Sequence, residues 1–199
     1  LHKAIRRQRQ MCIRDRYNSM NTYKCFVHNL AEQQINKVFL NSDNDKMLSV
    51  FQEMFDHSST EFRIFAGNLC NEVTGSKEYI ESVSNFIEKK GYLYILLNKF
   101  RQEQAVNHNL YKRLAYYQSL GEYHILIKST TTQIAYKDKS AHLAIGDRCS
   151  YRIETDIEKR TAICNMADSD YSEKLVSFFD TVFNDPANLV IDLVKIFNL

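Results

Sequence analysis

The 199-residue sequence has no tryptophan, one proline and only five glycines. So few turn-forming residues disfavour a many-stranded sandwich or barrel and favour long helices between strands. No apolar run approaches the roughly 20 residues that a membrane-crossing helix needs, and the N-terminal region lacks the apolar core of a secretory signal. The five cysteines (Cys12, Cys25, Cys70, Cys149, Cys164) are odd in number and include no Cys-x2-Cys pair. They read as free thiols in a reducing compartment, neither a disulfide framework nor a zinc site, and so point to the cytoplasm. His108, His124 and His142 fall in different predicted elements without metal-ligand spacing. Glycine-rich phosphate loops and a Gly-x-Ser-x-Gly elbow are also missing, so neither a metal nor a cofactor is expected.

What is there is an ordinary globular composition, 44% hydrophobic and 25% charged, with 12% aromatics carried by Tyr and Phe. The length suits one domain with a sizeable core. Charge is uneven. Residues 1–16 hold Lys3, Arg6, Arg7, Arg9, Arg14 and Arg16 against Asp15, which leaves a mildly acidic remainder under an overall charge of +2. A basic arm of this kind points to nucleic acid or a membrane surface. The run Arg9-Gln10-Met11-Cys12-Ile13-Arg14-Asp15-Arg16, however, resembles translated adapter read-through. Residues 1–19 are therefore expected to be a non-native or disordered extension, residues 20–199 the single domain, and nucleic acid an open partner.

Along the chain, Cys25-Phe26-Val27 and Val38-Phe39-Leu40 suggest short strands or a strand and a helical turn. Ser42 or Asp43 can cap a helix over 44–57 with Met47, Leu48, Phe51, Met54 and Phe55 on one face. A strand over 62–66 follows, then a helix over 77–90 capped by Ser76 and stopped by Gly91. The near-continuous apolar runs 92–97 and 123–127, separated by a helix over 104–119, read as strands buried on both faces. Strand, helix, strand, helix, strand implies right-handed crossovers and a mixed, largely parallel sheet with helices on both faces. His142–Ile145 and Tyr151–Glu154 form a hairpin candidate around Gly146-Asp147-Arg148, with 161–164 as a third strand. Helices are expected over 170–184 and from Pro186 to Leu199.

From Glu61 to Phe183 this order of pieces resembles one repeat of the phospholipase D superfamily. Glu88-Lys89-Lys90-Gly91-Tyr92-Leu93-Tyr94-Ile95-Leu96 is similar to the family's helix-to-strand junction, and Gly121-Glu122-Tyr123-His124-Ile125 to a second one. The segment Ser140-Ala141-His142-Leu143-Ala144-Ile145-Gly146-Asp147 resembles the His-x-Lys-x4-Asp signature. The resemblance implies Ser140 at the nucleophile position, His142 at the lysine position, Asp147 as the aspartate and Asn165 as the downstream asparagine. Arg152 would join His142 and Asp147 if the hairpin forms, as a phosphate-binding cation.

Two of the signature positions are altered and one repeat stands where the family's site takes two. The leading expectation is a catalytically degenerate phospholipase D-like domain that binds a phosphodiester ligand or assembles, as a homodimer. The family's stand-alone bacterial members include nucleases and components of defence or mobile-element systems. The alternative is a divergent homodimeric phosphodiesterase or nuclease with His142 as nucleophile, which requires His142 to face a cationic pocket. A further alternative is an unrelated α/β interaction domain. On the plainest reading, His142 is a strand histidine bonded near Asp147, His124 a core residue, and Arg152–Glu154 a same-face pair worth little.

Overall fold

The computed structural model describes residues 20–136 and 139–199. The expected extension over 1–19 thus lies outside the described residues. In chain order the elements are α1 (20–32), β1 (Phe39–Asn41), α2 (Asn44–Asp56), β2 (Glu61–Ala66), α3 (Lys77–Glu88) and β3 (Tyr92–Leu97). Next come α4 (Gln102–Ala105), α5 (Asn109–Ser119), β4 (Ile125–Ser129), β5 (Ala135–Tyr136), β6 (Lys139–Ser140) and β7 (His142–Gly146). The chain continues through β8 (Ser150–Asp156), β9 (Thr161–Asn165), α6 (Ser169–Phe183), β10 (Leu189–Val190) and α7 (Leu193–Phe197).

Among the described residues eight strands form one mixed sheet in the order β1-β9-β8-β7-β2-β3-β4-β10, while β5 and β6 pair separately. The parallel part is β2–β3–β4, the segment whose strands are joined by helices long enough for crossovers. The β7–β8–β9 meander is antiparallel, docks β7 against β2, and carries β1 at its far edge. β7 therefore sits mid-sheet with a partner on each side.

Alternation along the strands sorts the core into two layers. Phe62, Ile64, Leu93, Ile95 and Ile125 join Phe51, Phe55, Tyr79, Phe86, Leu114 and Leu193 on the face covered by α1, α2, α3, α5 and α7. Phe65, Leu143, Ile145, Tyr151 and Ile153 meet Val176, Phe179 and Phe183 of α6 on the other. Helix starts follow the capping rule: Asp43, Ser76 and Asp168 each accept a backbone N–H from the first turn.

Several local expectations are corrected. Cys25-Phe26-Val27 lies in helix α1, whose buried stripe Val27, Leu30 and Ala31 has helical spacing. The expected 104–119 helix is broken between α4 and α5, and the final segment is a two-residue strand and a short helix in place of one long helix. His124 is exposed and stacks on Tyr92 with ring centroids 4.2 Å apart, so it is not a core histidine.

At the end of α3 it is Lys90, with φ 65°, that takes the left-handed conformation. Gly91 serves a different need, because a methyl there would sit on the buried Phe86 ring. Gly91→Ala is expected to destabilise the fold by about 1–3 kcal/mol through overpacking. Thermal melts against wild type would check this, and an unchanged midpoint would show that the ring can move aside.

Candidate functional site

A cavity of about 270 Å³ opens at the carboxyl ends of β2 and β3, bounded by the 67–71 loop, Lys99, the start of β7, and the β8–β9 loop with Ile157 and Arg160. This is where ligands gather in α/β sheets, because loops diverge beyond the strand ends. His142 reaches it because β7 runs antiparallel to β2, which puts the first residue of β7 beside the last of β2.

The β7–β8 register pairs His142 with Glu154 and Ala144 with Arg152. All four side chains therefore share one face of the sheet. His142 Nδ1 lies 2.6 Å from Glu154 Oε2, with the histidine side chain 20% exposed and the carboxylate 1%. Arg152 donates from Nη2 to Glu154 Oε1 (3.2 Å) and from Nε to Asn41 Oδ1 (3.0 Å), with its guanidinium over the Phe51 ring. Arg160 brings Nη1 to 3.7 Å from Glu154 Oε1, and its carbonyl accepts from Asn41 Nδ2 at 3.3 Å.

Burial works against the charge on Glu154, yet the hydrogen bond from His142 and the Arg152 charge outweigh it and hold the carboxyl below its usual range. As a carboxylate, Glu154 can only accept, so His142 Nδ1 carries the hydrogen. In the neutral ring the lone pair is then on Nε2. That nitrogen points towards Gly67: a methyl at this glycine would lie 3.7 Å from His142 Nε2 and 3.9 Å from Lys99 Cδ. His142 and Lys99 thus converge over a backbone that has no side chain.

The other residues named from the sequence lie elsewhere. Ser140 is exposed on the separate β5–β6 ribbon. The Asp147 carboxylate accepts the backbone N–H groups of Ser59 (2.7 Å), Thr60 (2.9 Å) and Glu61 (2.9 Å). It sits at the far end of β7, about 16 Å from His142 at the usual strand rise. Asn165 is buried, donates to Asn36 Oδ1 at 2.8 Å and accepts from the Ala167 N–H at 3.0 Å. The expected meeting of His142, Arg152 and Asp147 is therefore corrected: His142 and Arg152 meet through Glu154, without Asp147. Among the described residues no group of three or more His, Cys, Asp or Glu could hold a metal ion, and no helix is long and apolar enough to cross a membrane.

Lys99, Asn41 and Arg160 carry no local signal in the sequence, and Glu154 reads there only as a weak partner for Arg152. A three-residue turn pairs Gly146 with Ser150 and hence His142 with Glu154, so the dyad was readable once the hairpin loop length was fixed.

The fold so described is phospholipase D-like. It is similar to that of a phospholipase D family member, Nuc from Salmonella typhimurium, with a TM-score of 0.51 at 8% identity over 78% of this chain and 96% of that one. NucT from Helicobacter pylori matches with a TM-score of 0.51 at 10% identity, over 78% of this chain and 99% of the other. TrmBL2, an archaeal chromatin protein with a novel mode of DNA binding, gives a TM-score of 0.53 at 12% identity over 88% of this chain. The chain spans 65% of that protein's length. By sequence, no family model and no curated protein matches.

Proposed function

We propose that the chain is a catalytically degenerate phospholipase D-like domain that binds a phosphoryl group in the His142 cavity without turning it over. The observation that supports this best is the 2.6 Å contact between His142 Nδ1 and Glu154, which aims the other ring nitrogen at a cavity edged by Lys99, Arg152 and Arg160. Imidazole with converging ammonium and guanidinium groups is suited to phosphate oxygens. A DNA-binding protein among those of similar fold is in line with phosphate as the ligand chemistry. Degeneracy rests on the signature itself. Ser140, at the position of the family's nucleophile, is exposed on the β5–β6 ribbon away from the cavity, and Ala144, on the same face as His142, brings no cation there.

A second reading, a phosphodiesterase with His142 as nucleophile, is favoured by the Nε2 lone pair that Glu154 fixes, and would need a second copy to complete the site. Titration with inorganic phosphate followed by calorimetry, alongside hydrolysis of bis(p-nitrophenyl) phosphate, separates the two. Binding weakened about tenfold or more in His142→Ala is expected, since a hydrogen bond to a charged group is worth about 1.5–3 kcal/mol. No hydrolysis is expected by either protein. Hydrolysis lost in the variant would replace this reading with the second, and phosphate binding that survives His142→Ala unchanged would defeat both.

A further inference from the structure

Among the described residues that line the cavity, Lys99, Arg152 and Arg160 stand against a single carboxylate, Glu154. Leaving the imidazole out of the count, three cations against one carboxylate leave two positive charges uncompensated. Glu154 is already shared by His142, Arg152 and Arg160, so it can quench no further cation. A phosphodiester brings one negative charge, whereas a phosphate monoester at neutral pH brings about 1.5 to 2 and a third terminal oxygen. In a site with Arg152 and Glu154 almost wholly buried, an unmatched charge is expensive, so charge count selects between ligands more sharply than it would in water. Volume acts in the same direction. About 270 Å³ suits one phosphoryl group and a small organic appendage against Met47, Phe51 and Leu69, and is too small for a duplex.

Resting on the phosphoryl-binding reading, we infer that the cavity takes a phosphate monoester dianion, with Lys99 and Arg160 as the residues that set the preference over a diester. The cations come from three separate places: the loop after β3, strand β8 and the β8–β9 loop. Lys99 and Arg160 can therefore donate to different phosphate oxygens, while the buried Arg152 contributes its charge. Such a group occurs on a free nucleoside monophosphate and at the phosphorylated end of an oligonucleotide, two sources of the same chemistry.

The test uses the whole chain with four probes: inorganic phosphate, a nucleoside 5′-monophosphate, a 5′-phosphorylated hexanucleotide, and the same hexanucleotide without its terminal phosphate. The unphosphorylated strand, which has diesters alone, is expected to bind at least tenfold more weakly than the monophosphate. Lys99→Gln and Arg160→Gln, both at partly or fully exposed positions that spare the core, should shrink that ratio towards one. Tight binding of both the monophosphate and the phosphorylated strand assigns the ligand to a nucleic-acid end. Tight binding of the monophosphate alone assigns it to a small molecule. An unphosphorylated hexanucleotide that binds as tightly as the monophosphate, or a ratio untouched by both variants, overturns the inference while leaving phosphoryl binding in place. Failure of all four probes, inorganic phosphate included, overturns phosphoryl binding itself.

Discussion

Glu154→Ala is expected to destabilise the protein by about 3–5 kcal/mol, because it strands a buried guanidinium without its carboxylate. Arg152 is 2% exposed and Glu154 1%, so water at the cavity floor replaces the missing carboxylate only poorly. For a domain of this size the thermal midpoint should fall on the order of 10 °C. Glu154→Gln, which retains an acceptor for His142 but loses the charge, should fall between the two. Pairing Glu154→Leu with Arg152→Met should recover much of the loss, because an apolar pair removes both desolvation penalties together. A double-mutant cycle by urea denaturation reads the coupling, and a Glu154→Ala midpoint equal to wild type would show that the triad is not a unit.

The same residue sets a pH dependence. Glu154 is held below its usual range in the folded state, so its stabilisation is present in full above the unfolded carboxyl value of about 4.3 and is lost as pH falls through the lower folded value. Glu61 adds to this: burial opposes its charge, but Arg63 and Arg148 prevail and hold it low. Melts taken downward from neutrality should therefore lose stability below about pH 4 in wild type, with a shallower decline in Glu154→Ala.

The second large effect is predicted at Asp147. Its carboxylate gathers three successive backbone N–H groups, those of Ser59 and Thr60 in the turn after α2 and of Glu61 at the start of β2, and at this partly solvent-exposed position each bond is worth about 0.5–1 kcal/mol. Its own backbone is left-handed, with φ 44°, and Arg148 follows at 54°. Asp tolerates that region better than Ala. Asp147→Ala should thus lose the three bonds and add strain, for a total of about 3 kcal/mol. Asp147→Gly removes the bonds alone, and Asp147→Asn retains an acceptor, so the order Asn, Gly, Ala of increasing damage separates the two causes. Phosphate affinity of the folded protein should be unchanged in all three. Affinity lost in a well-folded Asp147→Asn would place the ligand at the wrong end of β7.

The sequence made the scaffold readable where physics is local. Capping side chains, the apolar runs of β3 and β4, and the hairpin at Gly146-Asp147-Arg148 all announce themselves within a few residues, although burial on both faces fails at Tyr92 and Leu126, each 42% exposed. The cavity was harder because its members are linked by register, not by spacing. Glu154 becomes the partner of His142 only when the turn length fixes which residues face each other, and Asn41 reaches Arg152 only through strand β1 at the sheet edge, more than a hundred residues away. Asp147 shows the converse. Its place in the signature suggested chemistry, but a carboxylate beside a tight turn has backbone amides nearer than any ligand.

Both margins of the eight-stranded sheet are closed by stubs, three residues of β1 on one side and two of β10 on the other. Such short ladders offer a neighbouring molecule almost no run of unpaired amides and carbonyls to extend. Two copies of this chain would accordingly gain little by continuing one sheet into the next. A pairing that leaves these margins alone would be built from side chains on helices and loops, where a point mutation can abolish it without unravelling a strand.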